Sequence, residues 1–275
     1  MKKISSISIL TGTGECQANC KKCSGMQHRS CAPKQNDEIN EDALRRVLTL
    51  GAERGCKKIS ITGSGEPMLS PKAISQTLSI IKEEYPGVFK DIVIYTNGIK
   101  LGNTINPWGD PPIGYWQEAG LTGVYISIRD IDIAKNAKGF GLDKYPSLIM
   151  IADNIKNRYG GLKLDMKFCV TLQRGYIDTL EKFIFAMGYL NGLRADGINV
   201  WPMKNIDDTV SDDAPPELQM DLMHEWVTRN PDYKIRFLDG DNVPQSDKIL
   251  LYQDGEIGNM WHREKSTINL ENINE

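Results

Sequence analysis

No apolar run in this sequence approaches the roughly 20 residues that a bilayer-spanning helix needs. The N-terminal segment Ile4-Ser5-Ser6-Ile7-Ser8-Ile9-Leu10 is too short and too polar for a secretory signal. Neither sign of charge is in excess: 33 Lys and Arg against 36 Asp and Glu leave a formal net charge of -3 and a pI near 5.8. That balance excludes a global pull toward nucleic acid or an anionic membrane. Histidine is scarce, and His28, His224 and His262 are too scattered to form a metal site by themselves. Cysteine is absent beyond Cys169, and three of the six crowd between Cys16 and Cys23. Such clustering is unlike a disulfide framework and points to a metal site in a reducing, cytoplasmic compartment.

What is present is a regular alternation of strand-like and helix-like stretches over 275 residues, long enough for one sizeable core with a short extension. Strands are predicted at about residues 4–10, 58–62, 91–95, 124–128, 164–172 and 198–201. Between them, Asn40 caps a helix with Glu41 and Asp42 in its first turn, and Ser70-Pro71 opens another. Further helices are predicted near 115–119, around Leu148 to Ile155, and at 180–190. Six strand–helix units in order imply a parallel sheet with right-handed crossovers, either doubly wound or a partial barrel.

Strand patterning favours the barrel. Leu164, Met166, Phe168, Val170 and Leu172 alternate with Lys163, Asp165, Lys167, Cys169 and Thr171, and the fourth and sixth strands repeat the alternation. Parallel strands buried on both faces read as continuous apolar runs instead. The expected fold is therefore an α/β partial (βα)6 TIM-like barrel, its helices outside and a polar chamber inside. Residues 1–203 form this core and 204–275 an extension packing on or near it, with a helix from about Pro216 to Arg229, a strand at 234–238 and a hairpin around Asp254-Gly255.

The chemistry-bearing stretch is Cys16-x3-Cys20-x2-Cys23, in the loop after the first strand. Three thiols at that spacing can close on one metal centre and leave a position on it without a protein ligand; thiolates select iron–sulfur clusters, zinc or cuprous ions. Zinc has its own reading, since Cys20-x2-Cys23-x4-His28-x2-Cys31 approaches a zinc knuckle and Lys21, Lys22 and Arg29 suit a nucleic-acid backbone. That match is incomplete: a knuckle keeps four residues between its His and last Cys, Cys16 goes unused, and the strand–helix series is ignored.

The order of motifs on successive strand ends resembles the radical S-adenosylmethionine (radical SAM) enzymes over about residues 4–203. Cys16-x3-Cys20-x2-Cys23 is similar to their cluster signature. Gly63-Ser64-Gly65-Glu66-Pro67 after the second strand resembles their Gly-Gly-Glu-Pro motif, with Ser64 in place of a glycine, and Tyr95-Thr96-Asn97-Gly98 after the third resembles a further recurrent element. One residue departs from the pattern: the position before the last cysteine, usually aromatic and leaning toward the adenine, is Lys22.

The resemblance implies a [4Fe-4S] cluster held by Cys16, Cys20 and Cys23, with S-adenosyl-L-methionine (SAM) chelated at the remaining iron and cleaved reductively to a 5′-deoxyadenosyl radical. It places Gly63, Ser64, Gly65 and Glu66 against the methionine moiety, Arg129 with its carboxylate, Ser127 near the ribose, and Asn199 and Trp201 near the adenine, with Asn97 also at the cofactor. Cys169, on the inner face, is a candidate hydrogen-atom donor, against the commoner fate of a buried cysteine as a small hydrophobe. The implied partners are a small-molecule or peptide substrate and a one-electron donor such as flavodoxin or ferredoxin, with no membrane; nucleic acid enters only through the zinc reading. The cysteine-free extension implies no auxiliary cluster. Two other functions stay open: an activating enzyme that makes a radical on a partner protein, and a zinc-binding nucleic-acid module. The loops at 28–36, 108–112, 130–142 and 204–216, the last with Asp207, Asp208, Asp212 and Asp213, are expected over the site.

Overall fold

The apolar stripes of the longer helices point onto one face of a single sheet. The computed structural model describes residues 3–23, 36–102, 112–158, 163–205, 209–238 and 247–261. The strands are β1 (Ser6–Thr11), β2 (Lys58–Gly63), β3 (Asp91–Thr96), β4 (Gly123–Ile128), β5 (Asp165–Leu172), β6 (Gly197–Pro202), β7 (Ile235–Phe237), β8 (Lys248–Leu251) and β9 (Ile257–Gly258). The helices are α1 (Glu41–Glu53), α2 (Pro71–Glu84), α3 (Ile99–Gly102), α4 (Ile113–Glu118), α5 (Ile133–Gly139), α6 (Leu148–Asp153), α7 (Leu180–Gly192) and α8 (Glu217–Arg229).

Their ends follow local chemistry. Asn40 accepts from Ala43 N at 3.0 Å and so satisfies an orphan amide at the start of α1. On α2, Pro71 occupies the first turn, while Ser70 makes no side-chain cap bond. The segment 130–142, expected as a loop, contains α5, capped by Asp132 accepting from Lys135 N at 2.9 Å. Seven residues with only Asn136 and Ala137 buried leave no apolar stripe for a periodicity argument to find.

The strand order is β7-β6-β5-β4-β3-β2-β1-β8-β9, parallel throughout except for the β8–β9 hairpin. From β1 to β6 the order follows the chain without reversal. Right-handed crossovers that never reverse put every helix on the same side, which is single winding, and an open doubly wound sheet would show a switch point. The main core bears this out: Ile7, Ile9, Ile61, Ile94, Ile126, Phe168 and Val200 on the strands pack with Leu44, Leu48, Ile74, Leu78, Trp116, Phe183 and Met187 on the helices.

The described parts of the extension enter the sheet at both ends. β7 pairs with β6, and β8 pairs with β1 through Ser6↔Lys248 and Ile9↔Leu251. On a flat sheet, β7 and β8 would stand seven spacings of about 4.8 Å apart, and the chain must also descend from the top of β7 to the bottom of β8. The eleven residue steps from Phe237 to Lys248 reach at most roughly 38 Å when fully extended. The sheet therefore curls, and its two edges approach across the open side of a partial barrel. Among the described residues no helix is long and apolar enough to cross a membrane.

Replacing the α1 cap tests the local reading: Asn40→Ala is expected to cost about 1 kcal/mol, measured by urea unfolding as a lower midpoint with an unchanged slope.

Candidate active site

The cysteine loop leaves the top of β1 and is gripped by segments from the tops of the neighbouring strands. Gly65 lies against it so closely that a Cβ there would stand 2.0 Å from Glu15 O, and Glu66 N donates to that same carbonyl at 2.8 Å. Gly63 is equally cramped, its notional Cβ falling 2.6 Å from Thr11 O. From the other side, Asn19 N donates to Phe140 O at 2.8 Å, and Gly141, at φ +66°, leaves room for Asn19 O where a Cβ would come within 2.3 Å. Segments after β2 and β4 thus hold the backbone on which the three thiols ride.

The thiols themselves are half-buried and unbridged, and two have partners from other strand ends. Cys16 Sγ accepts from Ala18 N at 3.4 Å and from Asn97 Nδ2 at 3.7 Å. Burial pushes the Cys20 thiol up; the Arg129 guanidinium beside it pulls back, and Cys23 and Cys16 are near enough to push further. Lys22, beside the last thiol, forms an ion pair with Asp213 at 2.8 Å and hydrogen bonds with Asn205 at 3.4 Å and with Ser211. All three partners lie in the segment after β6.

Beneath the loop, Glu66 is a buried carboxyl whose acceptors point back into the protein. Thr96 Oγ1 donates to Oε1 at 2.7 Å, Met68 N to Oε1 at 3.0 Å, and Asn97 N to Oε2 at 2.7 Å. Burial pushes this carboxyl above the usual range, and those donors, with the charge of Lys100, oppose the rise. Asn97 continues the network: its Oδ1 accepts from Ile99 N at 3.0 Å and its carbonyl from the Tyr145 hydroxyl at 2.6 Å. Gly98, at φ +75°, has Ile126 Cγ2 2.9 Å from where a Cβ would sit, so the Asn97-Gly98 turn admits no side chain.

The inner-face residues line up by register. Ser127, Cys169 and Asn199 occupy one row across β4, β5 and β6, with Thr171 and Trp201 in a higher one. Asn199 Nδ2 donates to Cys169 Sγ at 3.8 Å. Cys169 is fully covered, packed with Val93, Tyr125, Tyr95 and Trp201, and burial pushes its thiol up to about 12. Arg129 donates from Nη1 to Met203 Sδ at 3.5 Å, so it sits between Cys20 and the end of β6. His28, Cys31, Asp207, Asp208, the segment 108–111 and residues 28–35 of the first loop lie outside the described residues.

The three described thiols fit an iron–sulfur cluster. Among the described residues no three His, Cys, Asp or Glu side chains converge on one ion position. An iron–sulfur cluster makes no such demand, because each thiolate binds a different iron. Three neighbouring thiols on a backbone held from both sides, with a cation beside them to balance thiolate charge, meet its requirements.

A strand-end thiol loop on a curled parallel sheet defines a class, that of α/β enzymes built around an iron–sulfur centre. Residues 8–107 match the family model described as "4Fe-4S single cluster domain". The GTP 3′,8-cyclase of Klebsiella pneumoniae is 27% identical over 136 residues, 50% of this chain and 38% of the cyclase. Among solved structures, SuiB of Streptococcus suis shares the fold with a TM-score of 0.65 at 15% identity, over 98% of this chain and 63% of that one. A radical SAM methyltransferase from Sphaerobacter thermophilus does so with a TM-score of 0.58 at 17% identity, over 92% and 69%. The chain thus spans well under half the length of the curated relative. In its match to a [4Fe-4S] domain over residues 8–107 and in its partial-barrel fold the chain is similar to radical SAM enzymes, and the subfamily is left open.

Several structural partners of the site carry no sequence signal of their own. Tyr145, Asn136 and Gln253 reach it only through the fold; Asn136 Oδ1, for example, accepts from Arg129 N at 2.7 Å. Two variants test the packing. Gly65→Ala is expected to displace the cysteine loop and lose most reconstituted iron while circular dichroism stays folded. Glu66→Gln sets an amide N–H against a backbone donor and is expected to cost about 1–3 kcal/mol, read by thermal unfolding of the cluster-free chain.

Proposed function

We propose that this chain is a radical SAM enzyme that uses a cluster bound by Cys16, Cys20 and Cys23 to abstract a hydrogen atom from a small-molecule or peptide substrate. The observation that carries it is the convergence of Gly65, Asn97 and Arg129 on the thiol loop at the strand tops. When bound, the cluster supplies one electron that breaks the C5′–S bond of SAM, giving methionine and a 5′-deoxyadenosyl radical that takes the hydrogen atom.

The protein's own groups do the positioning. In this reading Gly63 to Gly65 leave the backbone bare, so that peptide groups can approach the methionine moiety and accept from its amino group. Glu66 acts from below, fixing the Thr96-Asn97 turn, and through Asn97 it orients Cys16. Arg129 balances thiolate charge and pairs with the carboxylate of SAM. Ser127, Asn199 and Trp201, half-buried on the inner face, serve the ribose and adenine. Lys22 cannot stack as an aromatic would, and it ties the thiol loop to the segment after β6 instead. Cys169 is neutral at ordinary pH, the form that can give up a hydrogen atom, but its complete cover favours packing as its role. A flavodoxin or ferredoxin would supply the electron, in the reducing cytoplasm where such a centre persists.

Anaerobic reconstitution tests the proposal. The expected result is a brown protein with about four irons that, once reduced, releases 5′-deoxyadenosine and methionine from SAM in equal amounts. Cys16→Ala, Cys20→Ala and Cys23→Ala should each abolish that release, and Cys31→Ala should not. A colourless protein that holds only zinc and leaves SAM intact would sink the reading.

A further inference from the structure

Ser64 stands where the superfamily motif has a glycine, and the structure shows what its side chain meets. Gln253 Nε2 donates to Ser64 Oγ across 189 positions of sequence. Both residues are buried, at 1% and 5% exposure. Gln253 sits in the connection between β8 and β9, just past Leu251, which pairs with Ile9 of β1. The register therefore carries this hairpin to the end of the sheet where the cysteine loop begins.

The hairpin is a firm support. Tyr252 N donates to Glu256 O at 2.9 Å, Gly255 N to Tyr252 O at 3.0 Å, and Glu256 N to Asp254 Oδ1 at 3.1 Å. The Tyr252 ring packs with Leu10 and Leu250. Gly255, at φ +86°, lies so close to Asn40 that a Cβ would stand 2.4 Å from Nδ2. On the other side, Gly63 and Gly65 press on the carbonyls of Thr11 and Glu15 with no space for a side chain. The peptides on either side of Ser64 are thus clamped between the cysteine-loop backbone and the hairpin. Glycine at 64 would leave the buried Gln253 amide short of an acceptor, so the two residues suit each other.

We infer that Gln253 is a positioning residue: through Ser64 it sets the orientation of the Gly63–Glu66 peptide groups that receive the α-amino group of SAM. The inference rests on the proposed function and gives the C-terminal hairpin a part in cofactor binding. Gln253 itself touches no reacting atom. It replaces the freedom of a glycine with a buried hydrogen bond, and a pre-set peptide loses less entropy when the cofactor binds.

The test is a double-mutant cycle on the reconstituted 275-residue chain, reading the dissociation constant of SAM by equilibrium binding. Gln253→Ala and Ser64→Ala should each weaken SAM binding about tenfold, and the double variant should be no weaker than the weaker single one. In the cluster-free chain, Gln253→Ala should speed amide hydrogen exchange at residues 64–66. Thr179→Ala, which removes the cap of α7 away from the hairpin, controls for lost stability alone. Wild-type affinity in Gln253→Ala, additive shifts, or a shift equal to that of Thr179→Ala would overturn the inference and leave the proposed function standing. Failure of the wild-type enzyme to bind SAM at all would overturn both.

Discussion

The contact between Glu15 O and the Gly65-Glu66 peptide is the constraint on which the site depends. A carbonyl that would lie 2.0 Å from any Cβ at position 65, and that accepts Glu66 N at 2.8 Å, leaves neither segment free to move without the other. Backbone against backbone is the stiffest packing a protein offers, since no rotamer can yield. The thiol loop, which has no regular secondary structure of its own in the described residues, takes its shape from that contact and from its counterpart at Phe140 and Gly141. Ligand groups on a loop become precise only when the loop is held this way.

Polar groups behind the loop extend the same logic. Glu66 is expensive to bury and is tolerated because three donors meet it, from Thr96, Asn97 and Met68. Those donors belong to the turns that support the thiols, so the cost of burial is offset by a rigid join between the tops of β2 and β3. Asn97 passes this order on to Cys16. On the outer side, Arg129 near Cys20 puts positive charge where thiolates collect negative charge, and Lys22 ties the loop to Asp213 after β6.

Much of this was legible in advance, for identifiable reasons. The six central strands and their main helices announced themselves by period, because each buries one face over enough residues for the pattern to repeat. Asn40 announced a helix start, because side-chain capping is local chemistry. Gly65 and Gly98 could be flagged as tight positions, but not what crowds them: Glu15 in one case, Ile126 and Tyr145 in the other. α5 escaped notice for want of an apolar stripe, although Gly141 just beyond its end supports the loop. Lys22 and Ser64 stood out only as departures from a pattern.

The sequence by itself determined the class of fold, the three-thiol loop and its place after the first strand, since these follow from short-range periodicity and spacing. Only the tertiary structure decided that β7 and the β8–β9 hairpin extend the sheet at its opposite ends and that Gln253 meets Ser64. It alone supplied the partners of Lys22 after β6. The Gln253 and Lys22 contacts join residues more than 180 positions apart. No local rule encodes them, because they exist only once the sheet has curled and brought its last strands alongside its first.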